Sequence, residues 1–415
     1  MKGQCEISGE QVIISFNGFR NSITDGWVMK TQLMLFLAAF IMIFAGLNYY
    51  IGIRGWQAFG SLIPAGYGVV YWAVFSFLAF SYLLGRFAAQ FVPDSLSAGL
   101  TVVGSYWLAA MNFFVLALIL VDLLRLADRW LHFLPHGLKQ FPAVTGLVVV
   151  VAVLGIVLYG SWNARNPQLT SYDLTIDKQA GSLQTLHMVV VSDIHLGNIV
   201  HNGRLMAMIN RVNSLDPDIV LLPGDIIDEN IGPFIEQRMP ESFLKLKSRY
   251  GVYAVFGNHE YIGGHAEEAC HYLSESGVTV LRDACLKVAD SFYIVGRDYS
   301  SRERFGGAGR KELSAVMAGV DRSFPVILLD HQPSRLEEAQ LQGVDLQLSG
   351  HTHQGQLFPF NLITRRIFET DWGYLRKEDF QIVVSSGFGT WGPPIRIGNH
   401  PEIVDITIHF TGGGE

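Results

Sequence analysis

The stretch Val344-Asp345-Leu346-Gln347-Leu348-Ser349-Gly350-His351-Thr352-His353 decides how the second half of this chain is interpreted. It has the pattern of a buried strand that ends in two histidines two residues apart, so that both imidazoles can reach a single point. Taken alone, a His-x-His pair is a weak signal, because such a pair also occurs in ordinary polar turns.

Four earlier segments have the same construction, an apolar strand that ends in Asp, Asn or His. They are Val189–His195, Ile219–Asp225, Val255–Glu260 and Val326–His331. Strand ends that bring such groups to one edge of a sheet indicate a metal site rather than a set of unrelated polar caps. The candidate ligands are Asp193, His195, Asp225, Asn258, His331, His351 and His353. Because the set mixes nitrogen and oxygen ligands and contains no cysteine, it favours manganese, iron or zinc.

The composition limits the class of protein. A length of 415 residues favours two domains. A hydrophobic fraction of 49% with only 16% charged residues is typical of a membrane protein. The net charge of -7 argues against nucleic acid as a main partner. The cysteines Cys5, Cys270 and Cys285 form no C-x-x-C pair, so neither a disulfide framework nor a zinc ribbon is expected.

Long uncharged runs are concentrated in the first part of the chain. Roughly 20 apolar residues are enough to cross a bilayer as a helix. The sequence predicts about four transmembrane helices, at about 31–53, 66–85, 98–121 and 142–162. The predicted domains are therefore a membrane domain over residues 1–165 and a second domain over residues 166–415.

The basic residues around the predicted helices are divided equally between the two membrane faces. The densest group, Arg125, Arg129 and Lys139, lies in one short loop, which favours a cytoplasmic position for that loop. An even number of helices then predicts a multi-pass protein of the cell membrane with its second domain on the extracytoplasmic side.

After Trp162 the pattern changes, and short apolar strands alternate with helical segments. The predicted helices are 204–215, 235–247, 266–276, 311–318 and 334–341, and the closing strands are 381–385 and 402–410. This alternation is typical of an α/β layered domain in which helices cover buried strands.

Five blocks of sequence, in order, resemble the calcineurin-like metallophosphoesterase superfamily. The blocks are Asp-x-His at Asp193, Gly-Asp-x-x-Asp at Gly224, Gly-Asn-His-Glu at Gly257, the lone His331 and Gly-His-x-His at Gly350. The closer likeness is to the bacterial membrane-linked YkuE/YaeI-type branch, and it covers roughly residues 170–410. The resemblance implies a four-layered fold, a β-sandwich flanked by helices.

The resemblance also implies two divalent metal ions and a role for each block. One ion would be held by Asp193, His195, Asp225 and His353, and the other by Asp225, Asn258, His331 and His351, with Asp225 as the bridging ligand. A metal-bridging hydroxide would be the nucleophile. His259 would be the general acid that protonates the leaving oxygen. Asp228 would orient His259, although a helix cap is the alternative role for Asp228.

The chain departs from the superfamily at one informative place. Protein serine/threonine phosphatases have Arg-Gly after the second aspartate, with the arginine gripping phosphate, whereas Glu229 and Asn230 stand there in this chain. A negative charge at this place argues against phosphoprotein hydrolysis, which becomes the third choice. Arg396 is the predicted substrate-binding residue, beside a loop at 358–378 that is rich in aromatic and basic residues.

The first functional hypothesis is a membrane-anchored phosphoesterase that hydrolyses a phosphodiester or pyrophosphate bond. An amphiphilic phosphate ester suits the aromatic and basic loop, including a lipid or a lipid-linked nucleotide such as UDP-diacylglucosamine. The alternative is a membrane transporter or sensor with a regulatory metal-binding domain. No predicted helix carries a charged residue near its centre, which favours helices that act as an anchor and take no part in the chemistry.

Overall fold

The computed structural model describes residues 16–64, 66–88, 91–133, 142–306 and 308–412. Lys139, part of the basic group used for orientation, lies outside these residues. The chain divides into two compact units. The first comprises the described residues up to Trp72 together with Phe114–Leu147, and the second comprises Ala73–Phe113 with the described residues from Val148 onward. Residue 165, the predicted domain boundary, lies within the second unit.

Long apolar helices dominate the first part of the chain. They are α1 (Phe16–Phe59), α2 (Gly68–Ala88), α3 (Asp94–Leu131) and α4 (Pro142–Ala164). Four segments among the described residues are long and apolar enough to cross a membrane: Ala38–Leu62, Gly68–Phe87, Asp94–Leu131 and Pro142–Ala164. The predicted set of four apolar helices is therefore confirmed. The first segment lies further along the chain than the sequence predicted and includes Arg54.

A charged pair explains how Arg54 is kept within an apolar helix of the first unit. Its guanidinium forms an ion pair with Asp122 of α3, and the Tyr50 hydroxyl donates a hydrogen bond of 2.7 Å to the same carboxylate. Pairing offsets part of the cost of removing both charges from water. The sequence interpretation treated Arg54 as a loop residue because its distant partner cannot be seen from local sequence.

The second unit contains a first sheet of six strands. Its strands are β1 (Gln168–Ile176), β2 (Thr185–Val190), β3 (Ile219–Pro223), β4 (Val252–Val255), β5 (Val278–Val280) and β12 (Glu402–Phe410), in the order β1-β12-β2-β3-β4-β5. Strands β2 to β5 are parallel, with Val190 opposite Leu221 and Pro223 opposite Val255. Their carboxyl ends therefore lie at one edge of the sheet.

A second sheet of six strands belongs to the same unit. Its strands are β6 (Ala284–Val288), β7 (Phe292–Gly296), β8 (Val326–Leu329), β9 (Leu346–Ser349), β10 (Gly373–Lys377) and β11 (Phe380–Val384), in the order β10-β11-β9-β8-β7-β6. Strands β7, β8, β9 and β11 are parallel to one another. The loops after β8 and β9 consequently leave the same edge of the sheet.

Short helices cover the outer faces of the two sheets. They are α5 (Asn202–Ser214), α6 (Gly232–Glu236), α7 (Met239–Phe243), α8 (His259–Ile262), α9 (Ala266–Glu275), α10 (Leu313–Val316), α11 (Leu336–Leu341) and α12 (Asn361–Ile367). The helix predicted over 235–247 is divided into α6 and α7. Arg238, with a φ of 54°, interrupts it, and Pro240 begins the next helical turn.

Three apolar clusters show the layering of the second unit. Between the sheets, Met188 and Leu221 of the first sheet cluster with Ile294 and Leu348 of the second. Outside the first sheet, its alternate side chains pack with helices α5 to α9, and outside the second sheet they pack with α10 and α11. This helix–sheet–sheet–helix arrangement confirms the predicted β-sandwich flanked by helices.

Candidate metal centre

The predicted ligands follow strands of both sheets at the edge where the parallel strands end. Asp193 and His195 follow β2, Asp225 follows β3, and Asn258 follows β4. From the second sheet, His331 follows β8, and both His351 and His353 follow β9. The parallel order β2-β3-β4 and the parallel pair β8-β9 bring these loops together, as the strand-end pattern predicted.

A first group of ligand atoms consists of Asp193, His195 and His353, whose donor atoms all lie within 4.8 Å of one another. His195 Nε2 and His353 Nε2 are 3.0 Å apart, and His353 Nε2 is 3.4 Å from Asp193 Oδ1. All three residues are buried. A carboxylate and two imidazoles that converge in this way suit a divalent transition-metal ion.

A second group consists of Asp225, His331 and His351, again with donor atoms within 4.8 Å of one another. Asp225 Oδ2 is 3.1 Å from His331 Nε2 and 3.9 Å from His195 Nε2, which belongs to the first group. This oxygen therefore lies between the two groups, where a bridging ligand is needed. His331 Nδ1 is bonded to the Pro223 carbonyl at 2.8 Å, which leaves Nε2 for an ion.

Two buried polar atoms support the fit of a cation to these residues. Asn258 Oδ1 and His195 Nδ1 are both inaccessible to solvent and have no hydrogen-bond partner within the part of the chain that is described. An unpaired buried amide oxygen costs free energy unless it gains a partner. Because Asn258 Oδ1 is an uncharged oxygen ligand, a hard cation would supply that partner.

The backbone of the site is strained at the ligand positions. Five of the predicted ligands have a positive φ: Asp193 at 51°, His195 at 52°, Asp225 at 51°, His351 at 71° and His353 at 47°. Such conformations cost about 1–3 kcal/mol each and are concentrated at functional sites. Gly224 adopts a φ of 92°, and a Cβ there would lie 2.6 Å from His331 Nδ1, so only glycine fits beside that ring.

Glu260 holds the loops of the centre in place. Its buried carboxylate accepts hydrogen bonds from the backbone N–H groups of Ile226 at 2.7 Å, Gly257 at 2.8 Å, Ile227 at 3.0 Å and Asp225 at 3.2 Å. Glu260 therefore ties the loop after β3 to the loop after β4. Glu260 is therefore a structural carboxylate of the centre.

The electrostatics of the centre indicate a place for positive charge. Burial alone would raise the pKa of Asp225, but His331 and His259 hold it well below its usual range. Burial lowers the pKa of His331, yet Asp225 and Asp193 raise it to about 10. Burial and the charge of His331 lower the pKa of His351 to about 3. A carboxylate that stabilises a cation on its neighbour so strongly would also stabilise a metal ion.

His259 and Asp228 form a pair beside the ligand groups. His259 Nδ1 is 2.9 Å from Asp228 Oδ1, and the His259 ring stands edge-on to that of His195 at 4.5 Å between centroids. Burial lowers the pKa of His259, but Asp225 and Asp228 raise it above the usual value. The Asp228 carboxylate contacts two histidines, His259 Nδ1 at 2.9 Å and His195 Nδ1 at 3.8 Å.

Arg396 lies in a different environment from the one that the sequence predicted. Its side chain is completely buried and donates to the carbonyls of Gly387 at 3.0 Å and Gly389 at 2.7 Å. Its Nη2 is 3.2 Å from His353 Nδ1. A guanidinium enclosed in this way supports a ligand histidine from behind, so its position differs from that of an exposed phosphate contact.

One further residue at the centre was missed by sequence reasoning. The Gln332 side-chain amide lies 3.1 Å from His351 Nε2 and so helps to fix that ring. The signal available in the sequence was its position directly after His331, although glutamine is common at such places.

The chain is similar to several known proteins. The profile described as calcineurin-like phosphoesterase matches residues 186–355. A protein from Aquifex aeolicus named as an uncharacterized metallophosphoesterase is 34% identical over 265 residues, which are 62% of this chain and 98% of that protein. A solved structure titled as a dimetal phosphatase from Danio rerio has a TM-score of 0.35 and 13% identity, and covers 54% of this chain and 92% of that chain.

A second relative is named as a transmembrane protein. The "transmembrane protein with metallophosphoesterase domain" of Danio rerio is 32% identical over 273 residues, which are 63% of this chain. This chain spans 61% of the length of that relative. The match to the family profile, the near-complete coverage of the Aquifex protein and the clustered Asp and His ligands lead to one conclusion. The chain belongs to the calcineurin-like metallophosphoesterases, which are metal-dependent phosphoesterases with two divalent ions.

Proposed function

We propose that this protein is a membrane-anchored binuclear phosphoesterase that hydrolyses a phosphodiester or pyrophosphate bond of an amphiphilic substrate. The observation that carries the proposal is the position of Asp225 Oδ2, 3.1 Å from His331 Nε2 and 3.9 Å from His195 Nε2. One carboxylate oxygen between two ligand groups is what a two-metal site requires. When bound, two divalent ions would polarise the phosphoryl group and activate water.

His259 is the proposed general acid. The ionised Asp228 carboxylate accepts from His259 Nδ1, which leaves Nε2 as the ring atom that can deliver a proton to the leaving oxygen. The raised pKa of His259, caused by Asp225 and Asp228 against the opposing effect of burial, favours the protonated form. Asp228 thus acts on the reaction through the orientation and charge of His259.

An apolar rim supports an amphiphilic substrate. Trp391 is 54% exposed and stands edge-on to the His259 ring at 6.2 Å between centroids. Phe358 is 45% exposed, and its carbonyl accepts a hydrogen bond of 3.1 Å from Asn112 of α3. Two residues earlier, the Gln356 side chain donates to the Trp391 carbonyl at 2.9 Å. Exposed aromatic side chains beside the proposed acid and beside an apolar helix suit a lipid or a lipid-linked nucleotide such as UDP-diacylglucosamine.

The catalytic domain is proposed to lie on the extracytoplasmic side of the cell membrane. The sequence placed Arg125 and Arg129 in a loop, whereas the structure places them in the last two turns of α3. The support is the position of these two basic residues at that helix end, together with the even number of apolar helices among the described residues. The YkuE/YaeI-type branch stays a prediction.

One observation favours transport or sensing as a second candidate function. Arg54 and Asp122 form an ion pair within apolar helices, and intramembrane charges often mark transport or sensing sites. The combined substitution of Arg54→Gln and Asp122→Asn separates the candidates. Under the phosphoesterase proposal it leaves kcat on a soluble diester unchanged, whereas a transporter with a regulatory metal domain would lose its main activity.

The full-length protein can be tested directly. After chelation and reconstitution with manganese, it is assayed in detergent against bis-p-nitrophenyl phosphate, a glycerophosphodiester and a nucleotide-linked lipid in mixed micelles. We expect metal-dependent hydrolysis, with the highest kcat/KM for a micellar substrate. A metal-loaded, folded protein that hydrolyses none of these with manganese, iron or zinc would contradict the proposal.

A further inference from the structure

The last turn of α2 and the first turns of α3 form one wall of a cleft beside the metal centre. The cleft has a volume of about 200 Å³, and its lining includes Arg86, Ser97 and Thr101 from the helices and Gly197, Asp228 and Asn230 from the loops of the catalytic sheets. All of these residues belong to the second unit. Because Asp228 is hydrogen-bonded to His259, the cleft reaches the partner of the proposed general acid.

Arg86 is the basic group of this wall. Its guanidinium forms an ion pair with Glu229, which directly follows Asp228. Arg86 remains 41% exposed and Glu229 is 20% exposed, so the arginine stays accessible from the cleft. A residue of a membrane segment therefore brings a positive charge to the loop that contains Asp228, the partner of the proposed acid.

The backbone on both sides of the pair is fixed by close packing. At Gly85, next to Arg86, a Cβ would lie 2.7 Å from the Thr101 backbone nitrogen, and Ser97 Oγ donates to the Gly85 carbonyl at 2.8 Å. On the other side, a Cβ at Gly263 would collide with the Glu229 carbonyl oxygen. The arginine is thus held at the cleft by helix–helix packing and by the loop that follows α8.

We propose that Arg86 binds an anionic group of the substrate next to the reacting phosphoryl group, so that the membrane helices form part of the active site. This inference rests on the proposed phosphoesterase function. A second phosphate beside the scissile bond is the group that best suits a guanidinium, because guanidinium and phosphate pair through two hydrogen bonds. The substrate class is therefore a pyrophosphate diester rather than a simple phosphodiester. Glu229 holds Arg86 until the substrate's anion replaces its carboxylate.

The test compares Arg86→Ala with Glu229→Ala in full-length, manganese-loaded protein. The probes are bis-p-nitrophenyl phosphate, with one phosphate, and UDP-glucose, with two. UDP-glucose is scored by its KM if it is cleaved and by its Ki against the diester if it is not. A charge-assisted hydrogen bond corresponds to about 10- to 100-fold in affinity. Arg86→Ala should lower the affinity for UDP-glucose by that factor and change the KM of the diester little. Glu229→Ala should leave the affinity for UDP-glucose unchanged or raise it.

Several outcomes would overturn the inference. If the ion pair only fastened the helices, both variants would lose activity equally on both probes. Failure of UDP-glucose to bind the wild-type protein, or an unchanged constant in Arg86→Ala, would also contradict it. Arg86→Lys should recover most of the affinity at unchanged metal content, and Arg165→Ala, at the exposed end of α4, serves as the matched control. If the wild-type protein had no phosphoesterase activity, that result would instead contradict the proposed function itself.

Discussion

His195 Nε2 lies 3.0 Å from His353 Nε2, although the two side chains arrive from different sheets. His195 follows β2 of the first sheet, and His353 follows β9 of the second. Two buried imidazole nitrogens at this distance can share a hydrogen bond or bind one metal ion together. The site therefore depends on the registration of both sheets, and substitutions that shift either sheet should weaken metal binding.

His259→Ala tests the assignment of the general acid. The variant should keep both metal ions and slow the hydrolysis of alkyl esters by about 10²–10⁴-fold, since an alkoxide leaves poorly without a proton. The loss should be smaller on p-nitrophenyl esters, because p-nitrophenolate needs little protonation. The measurement is kcat for both leaving groups together with metal analysis. Equal losses for the two leaving groups, or loss of metal, would exclude this role.

Much of the metal centre could be predicted from the sequence because its ligands are local features. Each follows an apolar strand directly, and parallel strands bring their carboxyl ends to one edge whatever the details of the loops. The pairing of His195 with Asp225 and His353 needs only this topology. The partnership of Asp228 with His259 came from the family resemblance and not from strand topology, and the two side chains are 2.9 Å apart.

Contacts between distant segments could not be predicted in this way. The burial of Arg396 depends on the carbonyls of Gly387 and Gly389, which enclose it only when the loop is folded. The ion pair between Arg86 and Glu229 joins a membrane helix to a catalytic loop and has no local signal. For that reason the sequence predicted only an anchoring role for the helices.

Arg396→Lys distinguishes two roles of Arg396, the support of His353 and a direct contact with phosphate. Lysine keeps the charge but loses the fork that reaches the Gly387 and Gly389 carbonyls. Because residues behind a ligand histidine tune metal affinity by about 10- to 100-fold, we expect metal affinity to fall by that factor. At saturating metal, KM for a soluble diester should be unchanged. A raised KM with normal metal affinity would instead support the predicted contact between Arg396 and phosphate.

Asn163→Ala tests how far α4 supports the catalytic domain. The buried Asn163 amide donates to the carbonyls of Asn399 at 2.8 Å and Arg396 at 3.0 Å, and its oxygen is 2.6 Å from His400 Nδ1. Its removal leaves buried polar groups without partners, so we expect a loss of about 1–3 kcal/mol in the free energy of unfolding.

The measurement for Asn163 is thermal unfolding of the metal-free, full-length protein in detergent. Asn166→Ala is the matched control, because Asn166 lies just beyond the same helix and its side chain donates an exposed hydrogen bond to the Trp162 carbonyl. If both variants unfold at the wild-type temperature, the Asn163 side chain of α4 does not stabilise the catalytic domain.

The most direct test of the two-metal centre is metal stoichiometry in Asp225→Asn. The reconstituted wild-type protein should bind close to two equivalents of manganese, and Asp173→Asn, an exposed change on β1, should bind the same amount. Asp225→Asn should retain one equivalent or fewer and lose most of its diester hydrolysis, because the oxygen between His331 and His195 would no longer carry a shared charge. A single tightly bound ion in the wild type that Asp225→Asn leaves undisturbed would contradict the account.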